Sequence, residues 1–394
     1  MLPSYYEFFN SCKIISGKKA LDNLPYELRF FGAERPIIIT DKGVVGAGLI
    51  DHVKNAFKSS DMTIGAIFDD VPPDSSVKLV NEIASVYREN NCDSFVAVGG
   101  GSPMDTAKGV NIVISEGSDK LGDFMGADML TKPMRPLIAV PTTSGTGSEV
   151  TLVAVIADTD KNIKMPFVSQ KLIASATILD PRMTITMPPH ITAATGMDAL
   201  THAMEAYTCI QKNPMSDAYA YAAIKLVSEH LIRVVKNGED ENGRLALANA
   251  ATMAGAAFSN SMVGMVHSLG HATGGVCHVP HGVAMSIFLP FGLEYNMKKT
   301  GDYLAEMLLP FGGVDEYVKT PAKHRAERVI ELVKNLRRDL RDLCGLPMTL
   351  KDAGVSESAL ETIARISIDD PSITFNPEEL DYEDALEVLK RAYQ

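Results

Sequence analysis

The chain has no run of apolar residues long enough to cross a bilayer as a helix, a span of about 18 or more. A membrane-embedded protein of that kind is therefore excluded. The opening stretch, MLPSYYEFFNSCKII, lacks a basic segment followed by an apolar one, so no secretory signal is expected. Cysteine is scarce: Cys12, Cys92, Cys209, Cys277 and Cys344 are odd in number, scattered, and form no CxxC pair. That excludes a disulfide scaffold and fits free thiols in a reducing, cytoplasmic setting. Positive charge is also short, with 37 Lys and Arg against 49 Asp and Glu, a net charge of -12, and no basic stripe. Nucleic acid is therefore not an expected partner. The GxGxxG dinucleotide fingerprint is missing too. Its nearest approach, Gly46-Ala47-Gly48, has Asp51 where the third glycine belongs. There is no internal repeat and no low-complexity segment.

What remains is ordinary globular material, 46% hydrophobic and 22% charged over 394 residues, enough for more than one domain. The first half alternates short apolar runs with helical patterns. Strands are expected at 13–15, 35–40, 63–68, 94–98 and 136–140, and helices at 45–58, 75–89 and from 102 to about 114. Such alternation predicts a parallel sheet covered by helices on both faces. Residues 151–180 read as a β-excursion with a turn at Asp158–Asn162. After Met187-Pro188-Pro189 the pattern becomes helical: 196–209, 216–236, 243–260, 283–297, 324–342, 357–366 and 382–393. The expected domains are thus an α/β domain over 1–187 and an all-α domain over 188–394.

Histidine is the residue whose distribution is least random. The chain holds nine, and four of them, His267, His271, His278 and His281, lie within Val266–Gly282. A second segment, TGMDALTHAMEAY from Thr195, carries Asp198 and His202 four apart, which places them on one helix face. His267 and His271 share a face in the same way, and His281 follows the turn at Val279-Pro280. One carboxylate with two or three imidazoles suffices to hold a divalent transition metal.

Two loops in the first half suit phosphate. Phe95-Val-Ala-Val98 runs into GGGSPMDTAK, Gly99–Lys108: a strand, a glycine turn and a helix start, where exposed amides and the helix dipole favour an anion. Ser102 is expected to cap that helix and Pro103 to sit in its first turn. PTTSGTGSE, Pro141–Glu149, follows another strand and offers hydroxyls and glycines. Asp41, closing the strand Ile37-Ile38-Ile39-Thr40, is placed either as a simple turn residue or as an acceptor for adenosine ribose hydroxyls, where it would repel the 2′-phosphate of NADP.

GGGSPMDTAK, PTTSGTGSE, DPRMTITMPP, ATGMDALTHAMEAY and HSLGHATGGVCHVPHG, in this order, resemble the iron-containing (group III) alcohol dehydrogenases. LCGLPMTLKDAGV and Phe375-Asn376-Pro377 extend the likeness to the tail. The resemblance implies a dehydroquinate-synthase-like fold, an N-terminal dinucleotide-binding α/β domain and an all-α C-terminal domain with the site in the cleft between, assembled as a homodimer or a larger array of dimers. It implies Asp198, His202, His267 and His281 as metal ligands and His271 beside them as a catalytic proton-relay or substrate-contact residue, with His278 outside the ligand set and Cys277 near it. NAD contacts would fall on Asp41, Gly99, Gly100, Gly101, Ser102, Asp105, Thr142, Thr143, Thr146, Val155, Lys164 and Met183. One departure is visible: many members carry a Pro-Asn-Pro turn where this chain has Val71-Pro72-Pro73-Asp74.

The expected reaction is hydride transfer between a small primary alcohol or diol, or its aldehyde, and NAD, with the metal as Lewis acid. The family name points to Fe2+, while the ligand set also accepts Zn2+. The alternative is a non-redox, metal- and NAD-dependent carbocycle-forming synthase of the same fold. Its phosphorylated substrates would need several basic residues near the histidines, and Lys212, Lys225, Arg233, Lys236 and Arg244 are not adjacent to them. The apolar Met262, Val263, Met265, Val266, Leu269, Val276 and Val279 suggest an uncharged substrate instead.

Overall fold

The computed structural model describes residues 3–161 and 163–394. They form two compact units: Phe9–Met187, and Pro188–Gln394 joined by the first residues up to Phe8. The expected division thus needs one correction. The segment before Phe9 belongs with the helices, and the Phe8 ring stacks on Tyr219 with centroids 5.6 Å apart.

The first unit contains β1 (Lys13–Ser16), α1 (Leu24–Phe30), β2 (Pro36–Ile39), α2 (Lys42–Gly46), α3 (Leu49–Phe57), β3 (Ala66–Phe68), α4 (Val77–Glu89), β4 (Ser94–Gly99), α5 (Gly101–Glu116), β5 (Gly126–Ala127), β6 (Leu137–Pro141), β7 (Val153–Asp158), β8 (Ile163–Val168) and β9 (Ala176–Leu179). Six strands form one parallel sheet in the order β1-β9-β6-β4-β2-β3. Every residue of β2, β4, β6 and β9 is buried. A strand covered on both faces needs apolar side chains at successive positions, which is why these runs do not alternate. The helix expected over 45–58 is two helices. Gly48 takes a left-handed conformation (φ 73°) and breaks the turn between α2 and α3. From α3, Leu49, Ile50, Val53, Ala56 and Phe57 pack into the core. The 151–180 excursion is an antiparallel β7–β8 pair, with β5 added beside β8. β9 is instead part of the main sheet, between β1 and β6. Of the expected turn, Asn162 lies outside the described residues.

The second unit contains α6 (Pro189–Thr208), α7 (Pro214–Lys236), α8 (Glu241–Ser261), α9 (Met265–Cys277), α10 (His281–Lys319), α11 (Arg325–Cys344), α12 (Leu360–Ser367) and α13 (Tyr382–Tyr393). α6 is its centre. All of its residues from Gly196 to Thr208 are buried, as befits a helix surrounded by others rather than one with a wet face. α7, α8 and α10 pack around it, and small residues permit the close approach: a Cβ on Gly196 would fall 2.3 Å from Leu231 Cδ1. α10 runs well past the expected 283–297. Pro290 and Pro310 lie inside it, and it bends at Gly313 (φ 82°).

Candidate metal centre and dinucleotide loops

α6 brings Asp198 and His202 to one face, and α9 presents His267 from its first turn. His281 opens α10, directly after the Pro280 that ends the turn from α9. One ligand atom from each of these four residues lies within 4.8 Å of all the others. Asp198 Oδ1 is 3.7 Å from His202 Nδ1 and 3.3 Å from His281 Nε2. Asp198, His202 and His267 are almost wholly buried, yet Asp198 Oδ1, His202 Nδ1 and His267 Nε2 have no hydrogen-bond partner among the described residues. Buried polar atoms are rarely left unpaired, because each forfeits its hydration for nothing. Three orphaned lone pairs converging on one point, beside a fourth ligand, fit a metal cation.

The protonation states agree. Burial pushes His202 down to about 3, with the neighbouring imidazoles adding to it and Asp198 opposing. His267 is driven well below the usual histidine range by burial and by His281 and His271. Burial raises the Asp198 carboxyl, but the surrounding histidines outweigh it and hold it well below the usual range. Asp198 is therefore a carboxylate, and His202 and His267 are neutral imidazoles, the forms that bind metal. Nitrogen and oxygen donors of this kind accept Fe2+ and Zn2+ alike.

His271, whose own spacing on the helix left it open as a ligand, is outside this set. Its Nδ1 lies 2.9 Å from Asp370 Oδ2, and its ring stacks on His281 with centroids 5.4 Å apart. It remains 44% exposed. His278 caps the end of α9 in a left-handed conformation (φ 57°) and is a turn residue. Two groups were not singled out from sequence. Glu205, on the same face of α6, places Oε2 2.5 Å from His267 Nδ1 and accepts from the Val266 N–H through Oε1 at 2.8 Å. Asp370 lies 99 residues beyond His271. Glu205 had a signal: Asp198, His202 and Glu205 stand at i, i+4 and i+7. Asp370 had none. A further correction concerns the apolar neighbours. Met265, Val266 and Leu269 are fully buried in the helical core and do not line a substrate space.

In the α/β unit, Asp41 follows β2, Gly99–Ser102 follows β4, and Thr142–Thr146 follows β6. These are adjacent strands, so all three loops share the carboxyl end of the sheet. The chain order reverses between β2 and β4, the position at which open parallel sheets bind ligands. α5 begins at Gly101 with Gly100 as its cap residue, which has no side chain to cap it. Ser102 therefore does not cap it. Its hydroxyl bonds the Pro73 carbonyl instead. A Cβ on Gly100 would stand 3.3 Å from Thr143 Oγ1, and one on Gly101 3.5 Å from Thr146 Cγ2. The two loops thus lie against each other, with bare backbone amides at Gly100 and Gly101 beside the Thr143 and Thr146 side chains, donors of the kind that suit a pyrophosphate. Asp105 ties them together, accepting from Ser148 Oγ (2.9 Å) and the Val155 N–H (3.1 Å). Lys108, also not singled out from sequence, is fully buried and donates to the carbonyls of Ser148, Thr151 and Val153 at 2.8–2.9 Å. Burial lowers its ammonium to about 8 against the pull of Asp105 and Glu149. Asp41 caps α2 through Oδ1, 2.9 Å from the Val44 N–H. Its Oδ2 faces Gly99. Lys164 pairs with Asp74 in the departed turn. Met183 is wholly buried in the sheet core and presents no surface to a ligand.

A parallel sheet with an anion cradle, joined in one chain to a helical unit carrying a centre of one aspartate and three histidines, defines a metal-dependent, nucleotide-using protein. Comparison with known proteins makes this specific. The profile "Iron-containing alcohol dehydrogenase" matches residues 11–181, and "Fe-containing alcohol dehydrogenase family, C-terminal" matches residues 192–393. The chain is 34% identical to the NAD-dependent methanol dehydrogenase of Bacillus methanolicus over 98% of this chain and 99% of that one. It is 34% identical to the 1,3-propanediol dehydrogenase of Klebsiella pneumoniae, covering 96% of each. Among solved structures, a 1,3-propanediol oxidoreductase superposes with a TM-score of 0.94 at 32% identity, over 99% of this chain and 100% of that one. A sulfoacetaldehyde reductase from Bifidobacterium kashiwanohense, in complex with NAD+, superposes with a TM-score of 0.85 at 27% identity, over 99% of both. The chain belongs to the iron-containing alcohol dehydrogenase family, and it is an enzyme of that type. The synthase alternative finds no support: of the basic residues weighed for it, Lys212 pairs with Asp217, and the buried Arg244 donates to Gly238 and Thr192.

Proposed function

We propose that the chain interconverts a small primary alcohol or diol and its aldehyde, using NAD and Fe2+, with Zn2+ as the competing ion. The observation that carries this reading is the set of unpaired, buried ligand atoms on Asp198, His202 and His267, gathered beside His281. When bound, the metal supplies Lewis acidity toward the alcohol oxygen, and NAD supplies the hydride acceptor. The names of the methanol and 1,3-propanediol relatives support a short substrate, and the NAD+ complex of the reductase supports the cofactor.

The chain's own residues take the following parts. Gly99, Gly100 and Gly101 with Thr142, Thr143 and Thr146 hold the pyrophosphate; Ser102, Val155 and Lys164 border that cradle. Asp41 accepts from the adenosine ribose and disfavours NADP. His271, oriented through Nδ1 by Asp370, exchanges the reaction's proton at Nε2 with solvent, which its exposure allows. A homodimer is supported by β1, an edge strand that exposes Ile14, with the exposed Phe30 ring under Lys13 beside it. The free thiols support a cytoplasmic location, and no helix among the described residues is long and apolar enough to cross a membrane.

One preparation tests these together. Protein purified anaerobically should carry about one iron or zinc per chain, sediment as a dimer or a multiple of it, and oxidise NADH faster than NADPH against short aldehydes. Chelation should abolish turnover and metal should restore it. Turnover indifferent to chelation would end the metal reading.

A further inference from the structure

His267 can offer its Nε2 lone pair to a cation only if the ring proton sits on Nδ1. Nothing in an isolated imidazole enforces that choice, since both neutral tautomers are accessible. The group at Nδ1 decides it, and here that group is Glu205, at 2.5 Å and almost fully buried. In its ionised form the carboxylate has no proton to give, so the ring nitrogen facing it is the donor; burial pushes Glu205 up to about 7, while the N–H groups of Val266 and Gly264 favour the ionised form. The other carboxylate oxygen is engaged as well, at 2.8 Å from the Val266 N–H. Glu205 therefore holds the backbone of one residue and the ring of the next.

The surroundings close off any other arrangement. Asn376 Oδ1 accepts from the preceding N–H, that of Met265, at 3.1 Å. Asn376 itself is locked to Asn296 by paired amide hydrogen bonds of 2.9 and 2.8 Å. Both acceptors crowd Gly264, where a Cβ would meet Asn376 Oδ1 at 2.6 Å and Glu205 Oε1 at 3.2 Å. The first amides of α9 are thus satisfied by two side chains, one from α6 and one from the tail. Both hydrogen bonds oppose rotation or sliding of the helix that carries His267. Negative charge at that helix end is also favourable in itself.

We infer that Glu205 is a positioning residue that selects the metal-binding tautomer of His267. This rests on the metal-centre reading above. It places three functional groups on one face of α6: Asp198 and His202 toward the cation, and Glu205 behind the ligand that comes from α9.

Glu205→Gln tests it, because glutamine fills the same space but carries one acceptor and one donor. With its oxygen toward the Val266 N–H, its amide group faces Nδ1 and drives the ring proton onto Nε2, into the ligand set. Turned over, it keeps the ring proton on Nδ1 but sets donor against donor at Val266, leaving a buried N–H unpaired. One orientation mis-sets His267 and the other costs a buried hydrogen bond, although the volume is conserved. Zn2+ affinity, measured at pH 7.5 by competition with a chromogenic chelator, should fall 10- to 100-fold, the range found when a group orienting a metal-bound histidine is lost. Glu205→Asp keeps the acceptor-only chemistry with a shorter reach and should retain more affinity than the glutamine variant. A role limited to packing or helix capping predicts the reverse order, since glutamine is the better fit in volume. The melting temperature of each metal-free variant separates loss of fold from loss of affinity.

Wild-type affinity in Glu205→Gln, or glutamine outperforming aspartate, would overturn the inference. His267→Ala serves as the separate control. If it binds Zn2+ as the wild type does, the metal centre itself has been misassigned, whatever Glu205 does.

Discussion

Gly282 offers a direct test of how tightly the metal centre depends on helix packing. It is the second residue of α10, immediately after His281, and it lies against α6 one turn before Asp198. A Cβ built on it would stand 2.4 Å from the Ala194 carbonyl oxygen and 2.8 Å from the carbonyl carbon. Real Cβ contacts do not come closer than 3.0 Å, so Gly282→Ala requires the two backbones to part by about 0.6 Å. No side chain can rotate away to absorb this, because the obstruction is main chain. Overpacking of this kind costs about 1–3 kcal/mol, and alanine's better helix propensity returns at most about 1 kcal/mol. The geometric consequence is sharper than the energetic one. Functional constellations tolerate misplacement of roughly 0.5 Å, and the forced separation acts between Asp198 and His202 on α6 and His281 on α10. Gly282→Ala should therefore weaken Zn2+ binding at least tenfold while leaving a folded protein with intact NAD binding. Gly270→Ala is the control: its Cβ would strike only Met285 Cε, the flexible end of a thioether, so metal affinity should change little. Chelator competition on both variants decides the matter. Wild-type affinity in Gly282→Ala would mean that the ligands adjust independently of the helix contact, and the packing argument would be wrong.

Two further outcomes are expected. Asp41→Gly removes the carboxylate expected to repel a 2′-phosphate, and glycine costs only a few tenths of a kcal/mol at a cap position, so the ratio of NADPH to NADH turnover should rise without loss of fold; an unchanged ratio would leave Asp41 only its role in capping α2. The metal-free enzyme should lose stability on acidification: His202 is held at about 3, against roughly 6.5 in an unfolded chain, so between those values only the unfolded chain binds the proton and stability falls with pH, with His267 acting in the same direction. Glu205, which burial pushes up, opposes them as one carboxyl against two imidazoles. A melting temperature of the metal-free protein that stays flat from pH 7 to 5 would contradict this.

The parallel sheet was legible because buried strands announce themselves. Pro36-Ile-Ile-Ile39 and Ser94–Gly99 are apolar at successive positions, and no exposed element can afford that. The misreadings have equally physical causes. Periodicity over 45–58 ran through Gly48, whose left-handed turn splits one apparent stripe into two helices on the same core. α10 outruns the expected 283–297: it continues through Gly301 and Pro310, and only at Gly313, with φ 82° and ψ 173°, does the backbone leave the helical region and kink. β9 looked like part of an excursion because a four-residue strand has no signature of which sheet it joins.

The metal centre was legible for a related reason: ligands at i and i+4 on a helix are a local pattern, and local patterns survive in sequence. What orients those ligands is not local. Glu205 sits within the legible segment, yet it reads as one more polar residue on a helix until α9 is laid against it. Asp370 is 99 residues from His271 in the chain. Asn376 was visible as part of Phe375-Asn376-Pro377, a stretch noted only for its likeness to the family's tail, with no hint that it would hold the Met265 amide 111 residues away. Ligand identity is thus written in single helices, and ligand orientation in contacts between elements far apart in the chain. A substitution in the tail near Asn376 or Asp370 should accordingly disturb the centre without touching any residue that a motif would flag.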